Sequence, residues 1–446
     1  MEHIFADFEK DKNLEIDFNE GIRKLSDLAG ITVYERLNAS NQEEAKTEFL
    51  ADESLVRPNN EYGNLDEREI QDGIDGINYV MNHISTKDWK QQKLADMVAD
   101  YGLKEYRFLE ANVRYNAAQT EEAKRFAAED HARANRALYG EPDEDTFYAI
   151  LREELGKINV DELSSEDRAA YEKMKDEIGP MKNIEGGLYR PKEETVARFS
   201  EMVNIFYEPF FKHVPEDKEE FTPDELSNIF NEILSSEFGD ADSVPYHAVV
   251  TDEISNMDVN HETREIRIPK NAKPYSSARC KALLVHELGT HIMRALPYME
   301  QDIEIFTTGL PGNETFDEGV AKCIEQAIAG KYSDSGREHY INIGLATFKE
   351  KNFREIYNIE TTLKRLSGKK NNTTFNAVQR CFRGTGELPN NKDLAYYNGS
   401  VQVWKYIEEN IDDPNLFDNL FLSGKANILD DDQSALVYEM KTGGIK

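Results

Sequence analysis

Apolar residues recur at mixed three- and four-residue spacing from Leu94 to Ala118, which predicts a helix with one buried face. A charged, alanine-rich helix follows from Glu121 to Ala137. Residues 1 to about 125 are acidic and mostly helical in pattern, with Asp72-Gly73-Ile74-Asp75-Gly76 breaking one amphipathic stretch. His83 and His131 fall in such helices and are expected as surface or capping residues. The cluster Tyr139-Gly140-Glu141-Pro142-Asp143 predicts a break, after which a helix restarts through Phe147 to Leu155. A second break at Glu185-Gly186-Gly187 precedes a helix from about Glu193 to Phe211. Thr222-Pro223-Asp224-Glu225 is a helix start, with Thr as cap, Pro at the first position and Glu three after the cap; the helix should reach about Ser236.

The pattern changes at Ser243. His247 to Val250 and Glu265 to Ile268 alternate with a period of two and are linked through Met257-Asp258-Val259 and a polar turn at Asn260-His261-Glu262. This predicts two or three short antiparallel strands. Glu265-Ile266-Arg267-Ile268-Pro269 is the expected edge strand, ended by Pro269, where an extended peptide could add as a further strand. His247 and His261 are expected in turns or on the surface. Beyond the strands come the buried-helix run Ala282-Leu283-Leu284-Val285, a loop holding Thr308-Gly309-Leu310-Pro311-Gly312-Asn313, and a helix from Thr315 to about Ala329. Helices over Tyr340 to Asn358 and Glu360 to Leu366 follow, then a last helix holding Trp404. Asp430-Asp431-Asp432 are expected on a solvated face. The predicted fold is α+β and mainly helical, with a small antiparallel sheet beside the helix around residue 286. Its expected parts are an acidic helical N-terminal region (1–125), a helical lead-in (126–242), a core (243–415) and an acidic C-terminal tail (416–446).

Candidate chemistry concentrates in His286-Glu287-Leu288-Gly289-Thr290-His291. The common zinc-hydrolase helix sets two His four residues apart with a Glu beside the first as general base. Here the spacing is HExxxH. On a regular α-helix, residues five apart diverge by about 140° around the axis, so both rings could not share one metal. A single wide, π-type turn would return them to one side, and Gly289 makes such a departure less costly. The motif thus predicts a distorted helix and a metal together, as against two hydrogen-bonded core His with no metal. Glu318 is a candidate third ligand from a second helix, since catalytic zinc takes three protein ligands and keeps a position open. It also stands three residues after Thr315, where it could serve only as half of a capping box. Asp317 is the other carboxylate on offer, as ligand or as partner to a His ring.

A net charge of −33 over 446 residues excludes partners held by Lys and Arg, namely nucleic acid and anionic membranes. No run of 18 apolar residues is present, and Met1-Glu2-His3-Ile4-Phe5-Ala6-Asp7 lacks the character of a secretory signal. Cys280, Cys323 and Cys381 form no paired spacing, which fits a reducing compartment and a cytoplasmic protein. One stretch departs from the acidic mean: Gln379-Arg380-Cys381-Phe382-Arg383-Gly384-Thr385-Gly386, followed by Lys392, Tyr396 and Tyr397, collects cations around glycine-rich backbone. A guanidinium fork there could receive a carboxylate, or the cations could simply pair with acidic residues at the surface.

The segment His286–His291, the element Asp317-Glu318-Gly319-Val320-Ala321, and Phe382-Arg383-Gly384 with Lys392-Asp393, Tyr396 and Gly399 together resemble the tyrosine carboxypeptidase family. That family includes the microtubule-associated tyrosine carboxypeptidases and many bacterial proteins of unassigned role. Tyr139–Asp143 looks like a further family element, so the resemblance spans roughly residues 130 to 410. It implies a mainly helical, zincin-like metallopeptidase with Zn2+ held by His286, His291 and Glu318, and Glu287 as base. Where bacterial relatives usually read Gln-Glu-Gly-Leu-Ala, this chain has Asp317 and Val320. The expected activity is removal of a C-terminal residue, aromatic by family likeness, from a peptide or protein. Arg383 and Lys392 would grip the terminal carboxylate, and Tyr396 or Tyr397 would donate to the oxyanion. The net charge argues against tubulin, an acidic polymer, as substrate. Zinc dipeptidyl peptidases share HExxxH but place their ligand Glu in a Glu-Glu pair much further downstream. The residues also admit a zinc-containing binding protein without catalysis, or a helical interaction protein without metal.

Overall fold

A computed structural model describes residues 15–29, 33–62, 66–238, 246–252, 254, 257–261, 263–299 and 305–442. Residues 1–14, Ser243 and Glu262, on which some of the expectations above rest, lie outside the described residues. Helices dominate, joined by five short strands among the described residues, so the chain is α+β and mainly helical. It divides into two compact units: Met1–Thr86, Ala95–Tyr189 and Gly336–Tyr397 form the first, and Lys87–Leu94, Arg190–Ser335 and Asn398–Lys446 the second. No described helix is long and apolar enough to cross a membrane. The three cysteines are buried and unbonded.

In the first unit the helix Glu67–His83 runs unbroken through Gly73 and Gly76, where the sequence predicted a break. Gly73 serves packing. A Cβ on Gly73 would lie 2.1 Å from the Tyr106 ring, whose hydroxyl donates to the Leu28 carbonyl at 3.0 Å. His131 is buried rather than at the surface, with its ring 5.1 Å from that of Phe108, and burial pushes its pKa down to about 4. His83 keeps a local role, its Nδ1 lying 2.7 Å from the Tyr79 carbonyl. The break at 139–143 forms as the turn residues require. Gly140 ends the helix Glu121–Tyr139 at φ +75°, and Asp143 caps Glu144–Gly156 by accepting from the Thr146 amide. The helix expected over Tyr340 to Asn358 is two, Arg337–Phe348 and Phe353–Leu366, because Asn352 and Glu355 form a capping box that starts a new one.

In the second unit the helix Pro223–Glu237 carries the predicted capping box of Thr222 and Glu225. It packs on a three-stranded sheet of β2 (His247–Thr251), β3 (Asp258–Asn260) and β4 (Glu265–Pro269), ordered β2-β4-β3. A two-stranded ribbon joins β1 (Glu220–Phe221) to β5 (Tyr275–Ser276). The larger sheet is mixed rather than antiparallel: β4 pairs in parallel with β2 and antiparallel with β3. β4 is therefore the central strand, not the expected edge. Its Ile266 and Ile268 are fully buried, while Arg267 forms a cross-strand ion pair with Asp258 at 2.7 Å. Alternation of apolar residues marks a strand but not its place in the order, and the link after β2 carries β3 to the far side of β4. The outer edge of β2 is closed at Ala248, whose amide donates to Asn231 Oδ1 and whose carbonyl accepts from Asn231 Nδ2 and Ser227 Oγ. β3 is left as the outer strand, in contact with the helix around residue 286.

Asp430, Asp431 and Asp432 are exposed, as expected, while much of the stretch around them is helical. Leu416–Phe421 and Asp431–Lys441 are helices that bury Leu416, Leu420, Phe421, Leu436, Val437 and Met440. Asp430 caps the second helix, which explains one member of the acidic triplet.

Two outcomes test this architecture. Gly73→Ala would stabilise an exposed helix by about 1 kcal/mol through propensity, but here the Tyr106 ring makes it destabilising by about 1–3 kcal/mol in urea melts. Glu360 is fully buried, and its pKa is pushed up from 4.5 to about 8 by desolvation and by Glu338 and Glu154. The folded state thus holds a proton that the unfolded chain releases above 4.5, so its contribution to stability is lost as pH rises from 4.5 to about 8. Glu360→Gln removes that loss: its stability relative to wild type should be higher at pH 8 than at pH 5, and an equal difference at both would refute the assignment.

Candidate metal centre

The helix Ser277–Leu283 passes directly into a π-helix over Leu284–Ile292, which contains the whole HExxxH segment. With i→i+5 bonding, five residues make roughly one turn, so His286 and His291 come onto one side. Their ring centroids are 5.0 Å apart. Two side chains hold the wider turn. The Thr290 hydroxyl donates to the Val285 carbonyl at 2.8 Å, and the Tyr207 hydroxyl donates to the Gly289 carbonyl at 2.6 Å. Tyr207 is fully buried, and desolvation raises its pKa well above 10, so the phenol remains a donor. Gly289 matters for space: a Cβ there would lie 2.5 Å from the Tyr207 ring.

Ligand-type atoms of His286, Glu287 and His291 all lie within 4.8 Å of one another, and this cluster could hold a metal ion. Glu318 approaches one member of this cluster from the helix Glu314–Ile328, with Oε2 4.0 Å from His286 Nε2. The helix begins at Glu314, so Thr315 is already inside it and the capping-box explanation of Glu318 does not apply. Gly319 and Gly399 explain their own presence: a Cβ on Gly319 would lie 2.4 Å from the Gly399 carbonyl oxygen, and one on Gly399 would lie 2.0 Å from that of Thr315. Close approach of these backbones seats the turn that carries Glu318.

Each imidazole has a carboxylate oxygen beside Nδ1, through a hydrogen bond at His291 and an ion-pair contact at His286. Asp317 Oδ2 lies 2.7 Å from His291 Nδ1, and Glu325 Oε1 lies 2.7 Å from His286 Nδ1. Asp317 is therefore committed to a ring and to two cations, with Arg294 Nε at 2.8 Å and Lys425 Nζ at 3.2 Å. Burial opposes its ionisation, but Lys425, His291 and Arg294 outweigh it and hold the carboxyl well below its ordinary range. Glu325 likewise titrates at about 2: burial opposes, while His286, Lys322 and Arg279 prevail. Burial also raises the pKa of Glu287, against the pull of both His. His261 lies in the turn after β3, as expected, but is half-buried there with Nε2 2.8 Å from Lys425 Nζ, whereas His247 is exposed.

The basic stretch belongs to the first unit and forms a network there. Arg380 donates to Asp393 Oδ1 at 2.7 Å and to the Tyr396 hydroxyl at 3.2 Å. Arg383 is buried, Lys392 half-buried, and the ring of Tyr397 is buried against Tyr340 at 5.1 Å. His286, Glu287, His291 and Glu318 are thus brought together in the second unit, and Arg383, Lys392, Tyr396 and Tyr397 lie in the first. Glu325, Arg294, Lys425 and Tyr207 were missed by sequence reasoning. Only Glu325 carried a signal, since it lies seven residues after Glu318, two turns along the same helix face.

The sequence pattern of one protein family, described as microtubule-associated tyrosine carboxypeptidase, matches residues 188–445, more than half of the chain. No curated protein and no solved structure matches it significantly.

If Tyr207 and Gly289 maintain the π-turn, Tyr207→Phe should cost about 1 kcal/mol of stability for the lost hydrogen bond. Gly289→Ala should cost more, about 1–3 kcal/mol, because the Cβ displaces a buried ring. Denaturant melts of both variants check the order, and a neutral Gly289→Ala would show that the contact is dispensable.

Proposed function

The chain belongs to the microtubule-associated tyrosine carboxypeptidase family, and from that premise we propose that it is a zinc metallocarboxypeptidase removing a C-terminal residue from a peptide or protein. The observation that carries the metal reading is the pair of carboxylates at Nδ1 of His286 and His291. A carboxylate at one ring nitrogen fixes the tautomer and leaves Nε2 to coordinate, the usual arrangement around a metal-bound His. Two imidazoles and a carboxylate suit Zn2+. We assign the third ligand to Glu318, which approaches His286 Nε2 from a different helix and so supplies a direction that the π-helix cannot.

Zinc, when bound, would polarise the scissile carbonyl and acidify a water molecule. Glu287 is then available as general base: its carboxylate takes the proton of the attacking water and passes it to the leaving amine. Its burial favours this shuttling, since a desolvated carboxylate binds a proton more readily than an exposed one. The family's name supports a C-terminal tyrosine or other aromatic residue as the group removed. Arg383 and Lys392 are our candidates for the terminal carboxylate and Tyr396 for a hydroxyl donor, on grounds of charge and chemistry; Tyr397 has a packing role that accounts for it without substrate. An extended substrate that added to the sheet would have β3 to pair with, because β4 is enclosed. The net charge of −33 argues against an acidic polymer such as tubulin as the substrate.

Metal analysis of the purified protein tests the reading. We expect about one zinc per chain, lost in His291→Ala and in Glu318→Ala. Glu287→Gln should keep the metal yet lose roughly 10²–10⁴ in turnover of peptides with a free C-terminus. Metal kept by Glu318→Ala and lost by Glu287→Gln would reverse the two roles, and a metal-free wild type after reconstitution would end the proposal.

A further inference from the structure

Lys425 is placed where a lysine rarely sits. Its side chain is only 10% exposed, and Nζ lies between two groups, 2.8 Å from His261 Nε2 and 3.2 Å from Asp317 Oδ2. Burying an ammonium and freezing a long side chain both oppose folding, so such a placement persists only when the charge is paired and hydrogen-bonded. The backbone around it is built to deliver it. The Lys425 amide donates to the Phe306 carbonyl at 2.9 Å, and its own carbonyl accepts from Leu310 at 2.8 Å. Gly424 precedes it at φ +71°, where a Cβ would lie 2.9 Å from the Tyr298 ring. On either side, Arg294 donates to the carbonyls of Leu420 and Ala426, and the same guanidinium reaches Asp317 through Nε.

The far side of Lys425 is equally ordered. Its ammonium can only donate, so His261 Nε2 accepts and the ring's proton sits on Nδ1, 2.7 Å from the Tyr246 hydroxyl. Tyr246, His261, Lys425, Asp317 and His291 therefore form one continuous line of contacts, three hydrogen bonds and the Lys425–Asp317 ion pair, ending on a ring of the His286–His291 cluster. Asp317 Oδ2 is shared by Lys425 and His291 Nδ1, while Oδ1 faces Arg294. A cation thus stands beside each oxygen of the carboxylate, opposing its rotation away from the imidazole.

We propose that Lys425 is a positioning residue for the metal centre: anchored by His261 and the Phe306–Leu310 backbone, it fixes the Asp317 carboxylate that orients His291. The inference rests on the metal reading above and deepens it, adding a contribution from the C-terminal segment. It assigns Lys425 no contact with substrate. His261, despite being an imidazole beside the cluster, is turned into an acceptor for Lys425 rather than a ligand.

The test compares full-length wild type with Lys425→Met, which fills a similar volume without charge, and Lys425→Arg, which keeps a cationic donor. Zn2+ affinity is measured by competition with a chromophoric chelator, the visible spectrum is recorded after Co2+ loading, and apo-protein melts control for folding. Lys425→Met should bind Zn2+ about ten- to a hundredfold more weakly, with an altered Co2+ spectrum, and Lys425→Arg should recover most of the loss. A destabilised Lys425→Met with wild-type affinity and spectrum would overturn the inference, leaving a merely structural lysine. If Lys425→Met does not fold, Lys425→Gln takes its place with the same expectations; failure of both to fold would also overturn it, since the lysine would then serve the fold rather than the metal. Wild type that binds no Zn2+ would sink the metal reading itself, whereas wild type and variant binding alike would sink only the role of Lys425.

Discussion

Two imidazoles five residues apart can share one side of a helix only if the backbone hydrogen-bond register slips outward by one residue. That slip gives up regular α-geometry, and it lasts only where neighbouring groups hold the wider turn. Here the Thr290 hydroxyl works from within the helix, on the Val285 carbonyl, and the Tyr207 hydroxyl from outside it, on the Gly289 carbonyl. The Tyr207 ring can come so close only because residue 289 has no side chain. The π-helix Leu284–Ile292 is thus set jointly by a local residue, a distant phenol and a glycine, and every other feature of the centre presupposes it.

Around that helix the polar groups fall into two lines of similar design and different depth. His291 is backed by Asp317, which lies between the buried Arg294 and Lys425; His286 is backed by Glu325, which faces Lys322 and Arg279 nearer to solvent. Each is a cation–carboxylate–imidazole series. In so acidic a chain this local gathering of four cations shows that net charge describes the surface at large and not a particular site. The deeper line is the more constrained, because both oxygens of Asp317 lie beside cations, Arg294 being tied to the backbone of Leu420 and Ala426 and Lys425 to that of Phe306 and Leu310.

The Gly319–Gly399 contact shows how a short motif can mix chemistry and packing. Glu318 approaches His286, and the next residue must be small because another helix backbone crosses there. The carboxylate and the glycine are adjacent because the helix that carries the first has to be seated by the second. Gly73, by contrast, suggested a break from its conformational freedom, yet it accommodates a tyrosine ring within an intact helix.

By itself the sequence determined what local spacing and local chemistry control. The capping box at Thr222, the stop at Gly140, the mainly helical class and the need for a wide turn between His286 and His291 are all matters of residues within a few positions of one another. Strand order was beyond it, since period-two alternation is the same in a central and an edge strand, and only the pairing of β4 on both sides decided the matter. The partners of the two His were likewise beyond it, apart from the helical spacing of Glu325. Lys425, Arg294 and Tyr207 reach the centre through contacts between segments far apart in the chain, and no periodicity or motif records such contacts. Tertiary structure alone made Lys425, in the C-terminal stretch, a partner of the buried Asp317, because burial and ion pairing depend on what surrounds a charge and not on the charges beside it in sequence.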